Sequence, residues 1–291
     1  MDLPLFVGID GSDSSLAAVD WAVDEAARHG LPLHLVHASL WETYERAQPS
    51  FHADRSAGEV MAEHIVASCT ERARLRNPEV KVSGRALPED AVSALLRVAP
   101  DAFALVTGSR GRGEVAGMLL GSVSLAVAAR AVCPVIVIRG AEPNRRGSFG
   151  RVVVGVGDPT GGTAAVRFAV REAEVRGCTL TAVRAWRNPL QEPVDHMLIA
   201  DDAARLREER ASTALEDALR ETVRQHPRVD VRRQPVEGPG HRVLLEASAD
   251  ADLIVVGAQR RHGRFGLQLG RVAHTLLHHA PCPVAVVPQS A

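Results

Sequence analysis

Lysine is almost absent: Lys81 is the single one among 291 residues, and arginine carries nearly all the basic charge. That excludes a P-loop lysine or a kinase strand lysine at any nucleotide site. Cysteine is scarce, and Cys69, Cys133, Cys178 and Cys282 stand too far apart for a C-x-x-C pair. Cys133 and Cys282 each precede a Pro-led apolar strand and read as buried structural thiols. Excess charge is missing too: a net charge of -1 leaves no electrostatic footprint for nucleic acid or an anionic membrane. No stretch approaches the roughly 20 apolar residues of a membrane span. Met1 leads into an alternating strand-like run (Leu3, Leu5, Val7) rather than a basic and then apolar leader. The expectation is a soluble, cytoplasmic protein without nucleic-acid or membrane partners. No G-x-S-x-G elbow and no paired acidic motif for magnesium catalysis appears, so no catalytic residue and no metal ligand is assigned.

What is present is present twice. Val7-Gly8-Ile9-Asp10 returns as Val154-Gly155-Val156-Gly157, a shift of 147 residues that holds through Ala17-Ala18-Val19, Glu25-Ala26, Gly30 and Val36. Towards each half's end the shift is 149: Leu95-Leu96 recurs as Leu244-Leu245, Gly108 as Gly257, Gly121 as Gly270, and Cys133-Pro134-Val135 as Cys282-Pro283-Val284. A repeat of this size is a domain, not a solenoid unit. Features kept in both halves serve mainly the fold; features kept in one mark chemistry.

Each half alternates short Val/Ile/Leu strands with amphipathic helices, the pattern of a parallel sheet covered on both faces. The first half reads as strands at 5–9, 33–37, 80–85, 102–107 and 135–139, with helices at 14–29, 58–76, 89–99 and 122–131. Trp21 and its counterpart Phe168 read as core packing, and Gly30 as the residue closing the first helix. The second half repeats the order with strands at 151–156, 179–185, 230–236, 252–256 and 284–287. Gly140–Gly150, rich in Gly, Pro and charge, reads as an exposed linker between domains 1–139 and 151–291.

The chemistry concentrates where strand 4 of the first half ends, at Gly108-Ser109-Arg110-Gly111-Arg112-Gly113, with Gly121-Ser122-Val123 following. Glycines at 108, 111 and 113 are expected to permit positive φ and to let backbone N–H groups approach an anion. Gly121-Ser122 opens a helix whose unpaired N–H groups and positive dipole end favour phosphate. Arg110 and Arg112 either clasp phosphates or solvate the loop. In a doubly wound sheet this loop faces the end of strand 1, where the Asp10 carboxylate could accept from a ribose. Strand 2 ends at Val36-His37-Ala38, whose main chain could read an adenine edge.

The spacing G-x-x-G-x9-G-[ST], met by Gly108, Gly111, Gly121 and Ser122, resembles the ATP-binding motif of the universal stress protein family. Val7–Ser12 resembles that family's first strand with its ribose-contacting aspartate, and Val36–Ala38 its adenine-holding strand end. The resemblance covers essentially the whole chain twice. It implies two Rossmann-like α/β domains, each with a five-stranded parallel sheet of order 3-2-1-4-5. It further implies ATP, with or without Mg2+, held by Gly8, Asp10, Ala38, Gly108, Ser109, Arg110, Gly111, Arg112, Gly113, Glu114, Gly121, Ser122 and Val123. Phe103 stands where the family, and Asp252 of the second half, place an acid.

The second half departs where it counts: Gly157 replaces Asp10, although Asp158 follows immediately and could substitute, Arg260 replaces Gly111 and Arg271 replaces Ser122. Arg260 could block a phosphate or supply a charged contact instead. A second nucleotide site there would draw on Gly155, Gly257, Arg260, Gly263, Gly270, Arg271 and Val272. His274 and His278 share a helix face and read as solvated rather than as a zinc pair. The expected function is an ATP-binding, essentially non-catalytic module of a stress or dormancy response. Slow ATP hydrolysis or phosphoryl transfer, and a protein-interaction scaffold with vestigial sites, are the alternatives. The fifth strands, which would leave unpaired edges, are expected to cover one another in an intramolecular pseudo-dimer, other faces serving a further homodimer.

Overall fold

The computed structural model describes residues 3–40, 57–111, 120–157, 163–187, 197–259 and 269–289. The chain forms two compact units, Met1–Arg139 and Gly140–Ala291. The first runs β1 (Leu5–Ile9), α1 (Asp13–His29), β2 (Leu33–Ala38), α2 (Ala57–Arg76), β3 (Val82–Leu87), α3 (Ala91–Val98), β4 (Ala104–Gly108), α4 (Ser122–Arg130) and β5 (Val135–Ile138). Its strands lie in the order β3-β2-β1-β4-β5, and every pairing is parallel. The second runs α5 (Glu142–Arg145), β6 (Arg151–Gly155), α6 (Ala164–Arg176), β7 (Thr179–Trp186), α7 (Met197–Gln225), β8 (Val231–Glu237), α8 (Gly240–Ala247), β9 (Leu253–Gln259), α9 (Arg271–His279) and β10 (Val284–Gln289). Its parallel order, β8-β7-β6-β9-β10, repeats that of the first.

The central strands are apolar on both faces because helices cover both: Leu5, Val7, Leu105, Val106 and Ile136 are fully buried, as are Val152, Val153, Val154 and Ile254. In the first unit β1 pairs with β2 on one side and β4 on the other. The chain leaves β1 towards β2 and leaves β4 towards β5, so the crevice opens beyond Ile9 and Gly108 at the strands' carboxyl ends. Ser12 caps α1 by accepting from Ser15 N at 3.2 Å, and Gly30 ends it at φ 66. Its repeat twin Gly177 ends α6 at φ 60, so the same left-handed residue stops the equivalent helix in each unit. Arg72 and Arg76 on α2 each make two bonds of 2.6–2.7 Å to Asp20 and Asp24 on α1. Both guanidinium pKa values rise chiefly through those bonds, but solvent-exposed pairs stabilise by only about 0.2–1 kcal/mol each.

Gly8 and Gly155 show what the repeat preserved for the scaffold. A Cβ on Gly8 would meet Leu95 Cδ1 at 3.1 Å, and one on Gly155 would meet Leu244 Cδ1 at 2.7 Å. Each glycine is a notch that admits a leucine of the covering helix (α3 or α8) onto the sheet. Helix packing accounts for the missing side chain at both positions. Beside Gly8, Thr107 on β4 is buried, and its hydroxyl has no hydrogen-bond partner among the described residues. The second unit has Val256 at that position. A buried orphan hydroxyl is a net cost, so Thr107→Val should stabilise the first unit by about 1 kcal/mol. Urea unfolding checks this, and an unchanged or lower midpoint would show that the hydroxyl has a partner.

The stretch read as an exposed linker is mostly exposed yet fastened to the second unit. Asn144 is buried, its Nδ2 donating to Ala249 O (3.0 Å) and Ala251 O (2.8 Å). Asp252 accepts from Phe149 N (2.9 Å) and Arg151 N (3.0 Å), fixing the entry to β6. Upstream, Ala141 N donates to Pro281 O, and Gly140 lies so close that a Cβ would fall 1.9 Å from the same oxygen. Trp21 and Phe168 lie in the core as expected, and Cys69, Cys133 and Cys282 are buried. Burial pushes the Cys133 thiol up to about 12, far from a reactive thiolate. Among the described residues no helix is long and apolar enough to cross a membrane.

Candidate functional site

The crevice of the first unit is built from two loops about a hundred residues apart in sequence. After β1 the chain turns through Gly11 at φ 78 into α1. Asp10 Oδ1 accepts from Ser12 N (2.9 Å) and Ser12 Oγ (2.6 Å), so one carboxylate oxygen is held by the turn. Ser15 Oγ accepts from Gly11 N at 3.1 Å and donates to Ser12 O at 3.0 Å. Two serines thus order this end of β1, Ser12 holding the Asp10 carboxylate directly and Ser15 the turn that carries it.

The second loop comes to the other oxygen. A Cβ on Gly111 would stand 2.7 Å from Asp10 Oδ2, so a side chain there would displace the carboxylate. Gly108 is confined in the same way: a Cβ there would lie 2.5 Å from Ser14 Oγ and 2.7 Å from the Ser14 carbonyl. Neither Gly108, Gly111 nor Gly121 has positive φ. The expectation of left-handed backbone is corrected: Gly108 and Gly111 are required for space, not for conformation. At Gly121 a Cβ would make only ordinary contact, 3.6 Å from Arg110 Cα and Ser109 O.

The loop closes on the start of α4. Gly121 N donates to Ser109 O at 2.7 Å, and Ser124 Oγ donates to Gly108 O at 2.7 Å. Gly121 is the N-cap of α4 and supplies no side-chain cap, in contrast to Ser12 on α1. The first turn of α4 thus has no N-cap side chain to accept from its N–H groups, a place suited to an anion's oxygens. His37 ties β2 to β1 by donating from Nδ1 to Ile9 O at 2.8 Å; a carbonyl only accepts, so Nδ1 carries the proton. Next to it Ala38 ends β2, half-buried at the crevice.

Of the residues expected at this site, Asp10, Ala38, Gly108, Ser109, Arg110, Gly111, Gly121, Ser122 and Val123 lie at these strand ends and helix start. Asp10 and Gly111 meet directly. Arg112, Gly113 and Glu114 lie outside the described residues. Sequence reasoning missed Ser12, Ser14 and Ser15, although the serine-rich run after strand 1 was the available signal.

The second unit is shaped differently at the equivalent place. β9 and β10 continue two residues further than β4 and β5, pairing Pro288 with Ala258 and Gln289 with Gln259. Gln289 lies over Gly257, so that a Cβ there would fall 2.0 Å from its Nε2. Arg184, the counterpart of His37, donates through Nη1 to Gly157 O. Gly270 and Val272 keep the uncapped helix start, with Arg271 exposed at its first position. A Cβ on Gly240, which opens α8, would be 3.6 Å from Val272 and 3.7 Å from Ala185, the counterpart of Ala38. Arg260 and Gly263 lie outside the described residues. His274 and His278 do share a face, their rings stacked with centroids 4.5 Å apart.

Comparison with known proteins follows the same two-fold division. The model of the "Universal stress protein family" matches residues 4–139 and again 148–288. Universal stress protein Rv2005c of Mycobacterium tuberculosis is 32% identical over 98% of this chain and 96% of its own length. Universal stress protein Rv2623 of the same organism is 30% identical over 99% of this chain and 97% of its own. A crystal structure of a universal stress protein from Archaeoglobus fulgidus shares the fold, with a TM-score of 0.67 at 17% identity and full coverage of both chains.

Proposed function

Since the chain belongs to the universal stress protein family, with two copies of its domain in tandem, we propose that its first unit binds ATP and that the protein is a nucleotide-dependent stress or dormancy module. One observation carries the reading: Gly111 reaches Asp10 Oδ2 so closely that a Cβ would lie 2.7 Å away. That contact sets a ribose acceptor against a glycine loop, beside a helix start with no side-chain cap. The Asp10 carboxylate, oriented by Ser12 through Oδ1, is the group that accepts from the ribose hydroxyls. Ala38 backbone holds the base, and the Ser122 and Val123 N–H groups hold phosphate oxygens. Mg2+ would enter with the nucleotide, and the oxygen donors here, the Asp10 carboxylate and the Ser122 hydroxyl, suit that hard cation. No side chain is assigned as catalytic.

The reading places one site per chain, because in the second unit the ladder and Gln289 occupy the place of the loop. Ligand released by heating the purified chain should be an adenine nucleotide by mass spectrometry. Calorimetric titration of the emptied chain with ATP should reach one equivalent. Two equivalents would return the second unit to the list of sites, and the lack of any heat of binding would end the nucleotide reading.

A further inference from the structure

We infer that Ser14 is a positioning residue for the phosphate end of this site: it takes the Arg110 N–H and thereby turns the chain off the sheet after Gly108. The inference rests on the nucleotide reading for its ligand and on geometry for the turn itself. Ser14 Oγ accepts from Arg110 N at 3.1 Å, across 96 residues of sequence. The same residue's backbone lies flush against Gly108, whose missing Cβ would otherwise stand 2.7 Å from the Ser14 carbonyl. Once Arg110 is held there, Ser109 O receives Gly121 N, so the start of α4 is set by the same turn. Ser14 therefore reaches the phosphate donors through Arg110, Ser109 and Gly121 without touching a ligand.

The second unit supplies the contrast within one chain. The counterpart of Ser14 is Gly161, which has no hydroxyl. There α6 begins at Ala164, the counterpart of Ala17, whereas α1 already begins at Asp13. Gln289 fills the space over Gly257. The counterparts of Ser109 and Arg110, Ala258 and Gln259, then remain in the ladder beside Pro288 and Gln289. In the first unit the β4–β5 ladder stops at Gly108 paired with Ile138. The Arg110 N–H donates to the Ser14 hydroxyl in place of a ladder carbonyl. Ser14 takes it out of the plane of the sheet, and where no serine stands the strand runs on.

The test compares two ligands that differ only in phosphates, on the full-length chain. Ser14→Ala should weaken ATP binding by about tenfold, as expected for losing one hydrogen bond that orders the donors, with adenosine affinity changed by less than about twofold. Amide hydrogen exchange at Arg110 should accelerate by about tenfold or more in the same variant. Ser14→Thr, which keeps the hydroxyl, should bind ATP and protect Arg110 as the unaltered chain does. Parallel loss of ATP and adenosine would mark general destabilisation and overturn the inference. So would faster exchange at Arg110 with ATP affinity intact, or unchanged exchange. Should the unaltered chain bind neither ligand, the nucleotide reading fails by itself. Exchange at Arg110 then still decides whether Ser14 sets the turn.

Discussion

Gly111→Arg should lower ATP affinity by about a hundredfold or more while the first unit stays folded. The substitution copies Arg260, the residue the second half carries at the same place. Any side chain at 111 meets Asp10, since even a Cβ would lie 2.7 Å from Oδ2. Arginine adds a second effect: its guanidinium can pair with that carboxylate and remove the ribose acceptor as well as the space. Each lost group is worth about 1–3 kcal/mol when a buried polar contact is broken, so two together reach the stated factor. Residue 111 is at the surface end of the loop, and circular dichroism and thermal unfolding should be nearly unchanged. Calorimetry showing ATP bound with native affinity by a folded variant would remove the loop from the site.

Asn144→Ala should destabilise the second unit by about 2–3 kcal/mol. Its carboxamide is buried and satisfies two backbone carbonyls, Ala249 O and Ala251 O. Removing it strands both acceptors away from water and leaves a small void, and each unsatisfied group costs about 1–3 kcal/mol. The first unit contributes nothing to this contact, so its ATP binding should survive. Denaturant unfolding followed by Trp186 fluorescence, a residue of the second unit, reads the effect. A shift smaller than about 0.5 kcal/mol would show that water replaces the amide without loss.

The fold was legible because its signals are redundant. Val152-Val153-Val154 and Val135–Ile138 cannot be anything but strands buried on both faces, and Gly30 and Gly177 mark helix ends by the same chemistry twice. Strand ends in the second unit were not legible. Ala258, Gln259, Pro288 and Gln289 carry no apolar pattern, and their pairing depends on what stands over Gly257. The approach of Gly111 to Asp10 was legible, since a carboxylate and a glycine loop at two neighbouring strand ends face one another in the doubly wound topology. The reasons for the glycines were not. A glycine records only that a side chain is missing: Gly8 makes room for Leu95, Gly111 for Asp10, Gly108 for Ser14, and none of the three has positive φ. Ser14 was invisible for a related reason, because a serine in a helix's first turn reads as capping whether or not another loop uses its hydroxyl. Asn144 was hidden in a stretch whose Gly, Pro and charge read as a linker and give no sign of the side chain that fastens it.

That fastening decides where a gene for this protein can be divided. The composition of Gly140–Gly150 invites a cut at its far end, before Arg151. A coding sequence split there would send Asn144, and the Ala141 N–H that reaches Pro281, to the fragment that has no use for them. The other fragment would begin at β6 with the Ala249 and Ala251 carbonyls open. A cut between Arg139 and Gly140 keeps every one of those bonds within a single product. Anyone recombining these halves with those of other tandem chains should therefore inherit the eleven residues with the half that follows them.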